Sequence, residues 1–230
     1  MIMINLTIEQ QFRNEIPKPE KTGLDWYLFC YFLNKFRDSK FLEIGVGHGG
    51  SLFSMLAFSD NVTAIDNWAY GWDKKSVEKY LNNTNKSVKF IDKDSEIVDK
   101  DDLDLYTFVH IDANKKYKNV ANDLMLGNAI SDTLICVDDY MNSMWPEVTW
   151  AVDDFLKMNK QWKVILIGNH QIFLAKKKID VKEILFDFPI NLIEDTIYLT
   201  YGNLPKYTMP FISNGHMKYT WHKNILEINY

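Results

Sequence analysis

The chain has 230 residues, of which 47% are hydrophobic and 25% charged, ordinary globular proportions that exclude a disordered protein. Its formal charge of −5 argues against a broadly basic face, so nucleic acid is not an expected partner. No stretch reaches the ~20 apolar residues of a membrane span; Met1 to Leu6 is too short and uncharged for a signal peptide, and the cytoplasm is the expected location.

Pro17 and Pro19 mark an N-terminal arm over residues 1–22. An apolar helical run follows from Gly23 to Arg37, then a strand from Lys40 to Val46 and a glycine turn into a helix from Gly49 to Phe58. Strands are expected at Asn61 to Asp66, Ser87 to Ile91, Leu105 to Asp112 and Thr133 to Val137, with helices at Trp72 to Asn82, Tyr117 to Ile130 and Glu147 to Asn159. Trp162 to Gly168 and Gln171 to Lys176 flank Asn169 and His170 closely enough for a hairpin. Cys30 and Cys136 lie in apolar runs and read as buried thiols.

Strands alternating with helices imply right-handed crossovers, and short apolar strands without period-two alternation imply burial on both faces. The expected fold is α/β: a doubly wound, Rossmann-like, mostly parallel sheet over residues 23–178, with the antiparallel hairpin at its edge. Residues 179–230 read as a C-terminal appendage, either a substrate cover or the interface of a homo-oligomer. Its aromatic-rich tail, with His216, Tyr219, Trp221 and His222, does not decide between the two.

In Glu43-Ile-Gly45-Val-Gly47-His-Gly49-Gly50 the glycines follow a strand and open a helix, the context in which such a loop binds a nucleotide. The next strand ends at Asp66, where a carboxylate can accept the hydroxyls of a ribose. The glycines alone fit NAD or S-adenosylmethionine equally. Glu43 bears on the choice, because a carboxylate near the end of a central strand is costly to bury and needs a defined partner, and dinucleotide loops usually carry an apolar residue there.

At Glu43, Gly45, Gly47 and Gly49 the chain resembles class I S-adenosylmethionine-dependent methyltransferases, whose first motif is an acidic residue followed by Gly-x-Gly-x-Gly. The resemblance implies that these residues surround the methionine part of the cofactor, that Asp66 holds its ribose, and that Asp94 and Ser95 lie beside the adenine. For Asp94 a carboxylate at a helix N-terminus is the alternative.

If the strands ending at Asp112 and Asp138 are neighbours, Asp112, Asp138 and Asp139 share one carboxyl edge of the sheet, where functional residues gather in such folds. Carboxylates that close repel unless a cation neutralises them, and an oxygen-only set suits Mg²⁺. The alternative is that Asp139 caps a turn and Asp112 is solvated.

His110-Ile-Asp112, Asp138-Asp-Tyr140 and Ala151-Val-Asp-Asp-Phe-Leu156 are similar to elements of the class I family that contains metal-dependent, macrocin-type sugar O-methyltransferases, and Asp66-Asn67-Trp68 to its Asp-x-Trp segment. The similarity covers roughly residues 38 to 178. It implies a divalent cation on Asp112, Asp138 and Asp139, cofactor contacts from Asn67, Trp68 and Asp112, and O-methylation of a small-molecule or sugar hydroxyl, Asp112 being catalytic as well. The sugar branch often carries a second Asp as base where this chain has Asn114, which cannot accept the proton. Lys115 instead takes the catalytic Lys place of the catechol branch: beside a dication its pKa would fall and it would serve as the base, or it is simply the first solvated residue of a Lys pair.

His110, within an apolar strand, reads as a hydrogen-bonded core histidine rather than a catalytic one, and His170 belongs to the hairpin turn. His48 faces either ligand or solvent. Trp68, Tyr70 and Trp72 either pack on a ligand ring or on a helix. Two other functions stay open: an NAD-dependent oxidoreductase or epimerase, against which the usual Tyr-x-x-x-Lys pair is absent after Tyr140, and a non-catalytic nucleotide-binding interaction protein, against which both acidic segments are present.

Overall fold

The computed structural model describes residues 23–69, 74–84, 86–168, 170–177 and 179, and the backbone of a short hairpin at 211–213 and 216–218. The expectations for the arm at 1–22, for Tyr70 and Trp72, and for most of the appendage lie outside these residues.

Helix α1 (Gly23–Lys35) leads into β1 (Phe41–Ile44), α2 (Gly50–Phe58), β2 (Val62–Ile65), α3 (Lys74–Thr84) and β3 (Lys89–Ile91). The second half comprises β4 (Tyr106–Ile111), α4 (Tyr117–Ile130), β5 (Ser131–Asp138), α5 (Pro146–Met158), β6 (Lys163–Ile167) and β7 (Gln171–Ala175). The hairpin strands β8 (Phe211–Ser213) and β9 (His216–Lys218) form a separate two-stranded sheet.

The main sheet has seven strands in the order β3-β2-β1-β4-β5-β7-β6. Its strands through β5 are parallel, and β7 is antiparallel to both β5 and β6. This is the expected doubly wound sheet with its hairpin at one edge. Within the hairpin the later strand, β7, lies inside and β6 is outermost, so the antiparallel strand is not itself the edge. Short connections favour this arrangement: after α5 the chain crosses to β6 and only then folds back through the tight turn at His170 to fill the gap beside β5.

Alternate residues of the central strands feed two cores. Phe41, Phe108, Leu134 and Phe173 face α1, α2 and α3, and Ile44, Val109, Ile135 and Leu174 face α4 and α5. Helix α5 is cut to this role: Pro146 starts it where no amide partner is lost, and Val148, Ala151, Val152 and Phe155 bury one stripe. Gly127 lets α4 lie close to the sheet, since a Cβ there would come within 3.0 Å of Ile135 Cδ1. Cys30 and Cys136 are buried and not joined in a disulfide. No helix among the described residues is long and apolar enough to cross a membrane.

Two short 3-10 turns not expected from the sequence, at Ser95–Ile97 and Lys100–Asp102, follow β3. Each is started by an Asp, Asp94 or Asp99, whose side chain accepts an amide of the turn. Against the first of them packs α4, which carries the buried Asp123.

The carboxyl of Asp123 is shut off from solvent, with only the side chains of Ser95 and Asn122 near enough to ease its charge. Burial, reinforced by the charges of Asp94 and Glu96, raises its pKa to about 7. Because the folded-state pKa lies above the unfolded value, the folded protein binds the extra proton between about pH 4 and 7 and loses stability as pH rises through that window. Asp123→Asn should remove that loss, leaving the parent less stable than the variant by about 4 kcal/mol more at pH 8 than at pH 4. Parallel pH slopes for the two proteins in chemical denaturation would show that the carboxyl is solvated.

Candidate active site

The strand order reverses direction between β1 and β4, so the loops after these strands diverge and leave a crevice at their carboxyl ends. A cavity of about 770 Å³ opens there. Gly45, Gly47, Asp66, Asn67, Asp94, Ser95, Asp112, Lys115, Asp138 and Asp139 line it, so most of the residues expected to act are brought together.

The glycine loop owes its shape to two constraints. Gly45 has φ +89°, and a Cβ on it would lie 2.4 Å from the backbone oxygen of Asp112, so only glycine lets the ends of β1 and β4 close on each other. Gly47 has φ +52° with nothing within 4 Å of a Cβ, leaving space over the loop. Gly49, at φ +85°, N-caps α2 and does not line the cavity; a Cβ on it would meet the Phe53 ring at 2.9 Å.

Asp66 is drawn into the loop. Its Oδ2 accepts the amides of Val46 (2.7 Å) and Gly47 (3.3 Å), and its Oδ1 accepts the amide of Trp68 (2.6 Å). The carboxylate therefore holds the glycine turn in place while still lining the cavity. Trp68 is not among the residues lining the cavity. Its backbone turns at φ +57°, and the ring packs on Phe90 of β3 at 5.9 Å, not on a helix, and donates to Asp92 at 3.0 Å. Asp94 takes its capping alternative, one oxygen accepting the Glu96 amide (3.0 Å) and the other the Asn67 side chain (3.0 Å), and the residue also lines the cavity.

Glu43 lies beneath the loop, fully buried. Its Oε1 accepts from Ser51 and meets His110 Nδ1 at 3.0 Å, and its Oε2 has no partner among the described residues. Glu43, His110 and Cys136 form one row across β1, β4 and β5. Asp112 and Asp138 stand two residues further on, Asp112 directly after β4 and Asp138 at the end of β5.

The carboxylates find a cation within the chain. Lys115 Nζ pairs with Asp112 Oδ1 and, at 2.8 Å, with Asp139 Oδ2. Burial favours the neutral amine, but the charges of Asp112 and Asp139 outweigh it and hold the Lys115 pKa above the usual lysine range. With the two carboxylates as its partners Lys115 keeps its proton; the depressed pKa was expected only beside a dication. Asp139 is also committed on its other side, accepting from Asn142 at 2.7 Å, in a left-handed backbone at φ +61°. Asn114 accepts the amide of Lys116 (3.0 Å) and serves the start of α4. The Asp138-Asp-Tyr140 and Ala151 to Leu156 segments are joined directly, since the buried Tyr140 hydroxyl donates to Asp153 (3.1 Å). Burial and the Asp153 charge raise its pKa.

Several residues of the cavity were not anticipated, three of them aromatic. Trp26 and Phe29 of α1 and Trp145, just before Pro146, supply its apolar walls. Nothing in the spacing of Trp26 and Phe29 separates them from core residues. Trp145 carried a usable signal, an aromatic at the N-terminus of the helix after the second acidic segment.

This fold, with a glycine turn and an acidic edge at the strand reversal, is that of class I S-adenosylmethionine-dependent methyltransferases. Among solved structures, the apo form of CalS11, a TDP-rhamnose 3'-O-methyltransferase, is 12% identical, with 67% of this chain and 79% of that one covered and a TM-score of 0.54. A putative caffeoyl-CoA O-methyltransferase from Staphylococcus aureus is 16% identical over 75% of this chain and 92% of that one, with a TM-score of 0.55. TomG, an O-methyltransferase from Streptomyces achromogenes in complex with S-adenosylmethionine, is 16% identical over 74% and 87%, with a TM-score of 0.54. No family model matches the chain, and no curated protein does.

Gly45→Ala should lower stability by ~2 kcal/mol or more, because the methyl group must displace backbone. Gly47→Ala should cost only the ~1 to 2 kcal/mol of a left-handed backbone, with no clash added, and act also on ligand affinity. Denaturation midpoints for the pair test this; equal losses would mean that the two turns are interchangeable.

Proposed function

We propose that the protein transfers a methyl group from S-adenosylmethionine to a hydroxyl of a small molecule or sugar, with a divalent cation, Mg²⁺ in the simplest case, at the acidic edge. The observation that carries this reading is the joining of two half-sites in one cavity, the glycine turn with Asp66 and Asp94 on one side and Asp112, Lys115, Asp138 and Asp139 on the other.

The chain's residues divide the work by position. Gly45 and Gly47 offer backbone and space to the methionine end of the cofactor, over the buried Glu43. Asn67, Asp94 and Ser95 lie where its ribose and adenine would extend, and Asp66 shapes the turn and presents its remaining acceptor capacity to the ribose. The donor set at the acidic edge suits a hard dication, which when bound supplies Lewis acidity toward an acceptor hydroxyl. Lys115 stands at the same edge, three residues after Asp112. Neutralising Asp112 and Asp138 removes charge that keeps Lys115 protonated, so it can then take the acceptor's proton. Trp26, Phe29 and Trp145 exclude water and offer flat apolar faces to a sugar or aromatic ring. The small-molecule acceptors named for CalS11 and the Staphylococcus aureus protein support this choice of substrate class.

Calorimetry on the parent and on Lys115→Met tests the reading. S-adenosylmethionine and its demethylated product should bind both proteins with similar affinity, and NAD should bind neither. With an accepted hydroxyl substrate, the variant should lose ~10²-fold or more in turnover at neutral pH and recover part of it as pH rises. NAD binding without S-adenosylmethionine binding would overturn the assignment, and parental turnover in Lys115→Met would remove the lysine from the mechanism.

A further inference from the structure

An oxygen-only cation site on Asp112, Asp138 and Asp139 would require Asp139 to give up Lys115 on one oxygen and Asn142 on the other. A different set already converges. One ligand atom each of His110, Asp112 and Asp138 lie within 4.8 Å of one another. Donors on opposite sides of an ion at ~2.1 Å are ~4.2 Å apart, so small side-chain rotations bring all three into reach.

The sheet produces this arrangement. Asp112 follows directly on β4, two residues after His110, and Asp138 ends the neighbouring strand at the same level, since Ile111 pairs with Val137. The imidazole is held from behind. Nδ1 meets Glu43 Oε1 at 3.0 Å, and the Phe29 ring closes on it at 4.8 Å, leaving His110 with no exposure to solvent. With Nδ1–H donated to the carboxylate, Nε2 is the nitrogen with the lone pair, the tautomer and orientation that a carboxylate imposes on metal-ligating histidines.

We propose that His110 is a ligand of the cation, together with Asp112 and Asp138, and that Glu43 is the residue that orients it. The inference rests on the divalent-cation reading above and changes its chemistry. A mixed nitrogen and oxygen set favours a first-row transition ion over Mg²⁺, whose usual ligands are oxygens. Glu43 then links the two half-sites, touching Ser51 at the start of α2 and the metal-binding histidine with the same oxygen.

The test uses metal-free full-length protein and Mn²⁺ as the probe, with affinity followed by the electron paramagnetic resonance of free Mn²⁺ and ligation by pulsed measurement of nitrogen couplings. Bound Mn²⁺ should show an imidazole nitrogen coupling that changes to the ¹⁵N pattern in protein labelled with ¹⁵N-histidine. The coupling should persist in His48→Gln, which alters the histidine that lines the cavity, and vanish in His110→Gln. Mn²⁺ should bind at least about tenfold tighter than Mg²⁺, with this preference lost in His110→Gln and Mn²⁺ affinity down about 10-fold to 100-fold in Glu43→Gln. The labelling result needs no variant, so it stands even if His110→Gln fails to fold. Mn²⁺ that binds, is lost in Asp112→Asn and shows no nitrogen coupling would overturn the histidine ligand while leaving an oxygen-only cation site. Absence of Mn²⁺ binding at millimolar concentration would overturn both.

Discussion

The close approach of β1 to β4 at their carboxyl ends is the constraint on which the site depends. The Asp112 amide donates to Ile44 at 2.8 Å and the Gly45 amide to Ile65 at 2.9 Å, so the chain leaves β1 while still bonded to both neighbouring strands. Only a residue without a Cβ fits between them. That contact fixes the start of the glycine turn against the residue that begins the acidic edge. A shift of either strand by one residue would turn Glu43, His110 and Asp112 to the opposite face of the sheet.

Electrostatics is arranged in two tiers around this contact. The outer tier, Asp112, Asp139 and Lys115, is half-buried, and its one ammonium bridges two carboxylates, which leaves a net negative charge. The inner tier, Glu43 paired with His110, is fully buried. Burying such a pair is expensive unless its geometry is exact, which marks it as a functional feature more than a stabilising one. Left-handed backbones at Asp139 and Met141 add local strain at the same edge, of order 1 to 3 kcal/mol each.

Much of this was legible in the sequence because it was carried by local pattern. Short apolar runs marked the buried strands, glycines marked the turn, and aspartates after β4 and β5 marked the carboxyl edge. Pairing was less accessible. That β7 inserts between β5 and β6 is decided by long-range strand contacts, and the turns after β3 rest on single Asp caps in a polar stretch. Side-chain direction was the least accessible. Trp68 and Asp66 belong to the expected cofactor segment, yet a left-handed turn sends the indole to Phe90 and a short loop draws the carboxylate onto backbone amides. His110 looked like a core residue because it is one; its place two residues before Asp112 was the signal that set it apart. Lys115 was placed correctly at the acidic edge, but its partners, which no spacing reveals, set its proton affinity.

Anomalous diffraction from crystals of the full chain grown with S-adenosylhomocysteine and Mn²⁺ tests the central claim most directly, that cofactor and cation share one cavity at the β1 and β4 ends. The account predicts a Mn²⁺ peak among His110, Asp112 and Asp138, and the cofactor product over Gly45 and Gly47 with its sulfur directed toward that peak. A cofactor product bound elsewhere, or a glycine turn filled while Lys115 still bridges Asp112 and Asp139 with no ion beside them, would contradict it.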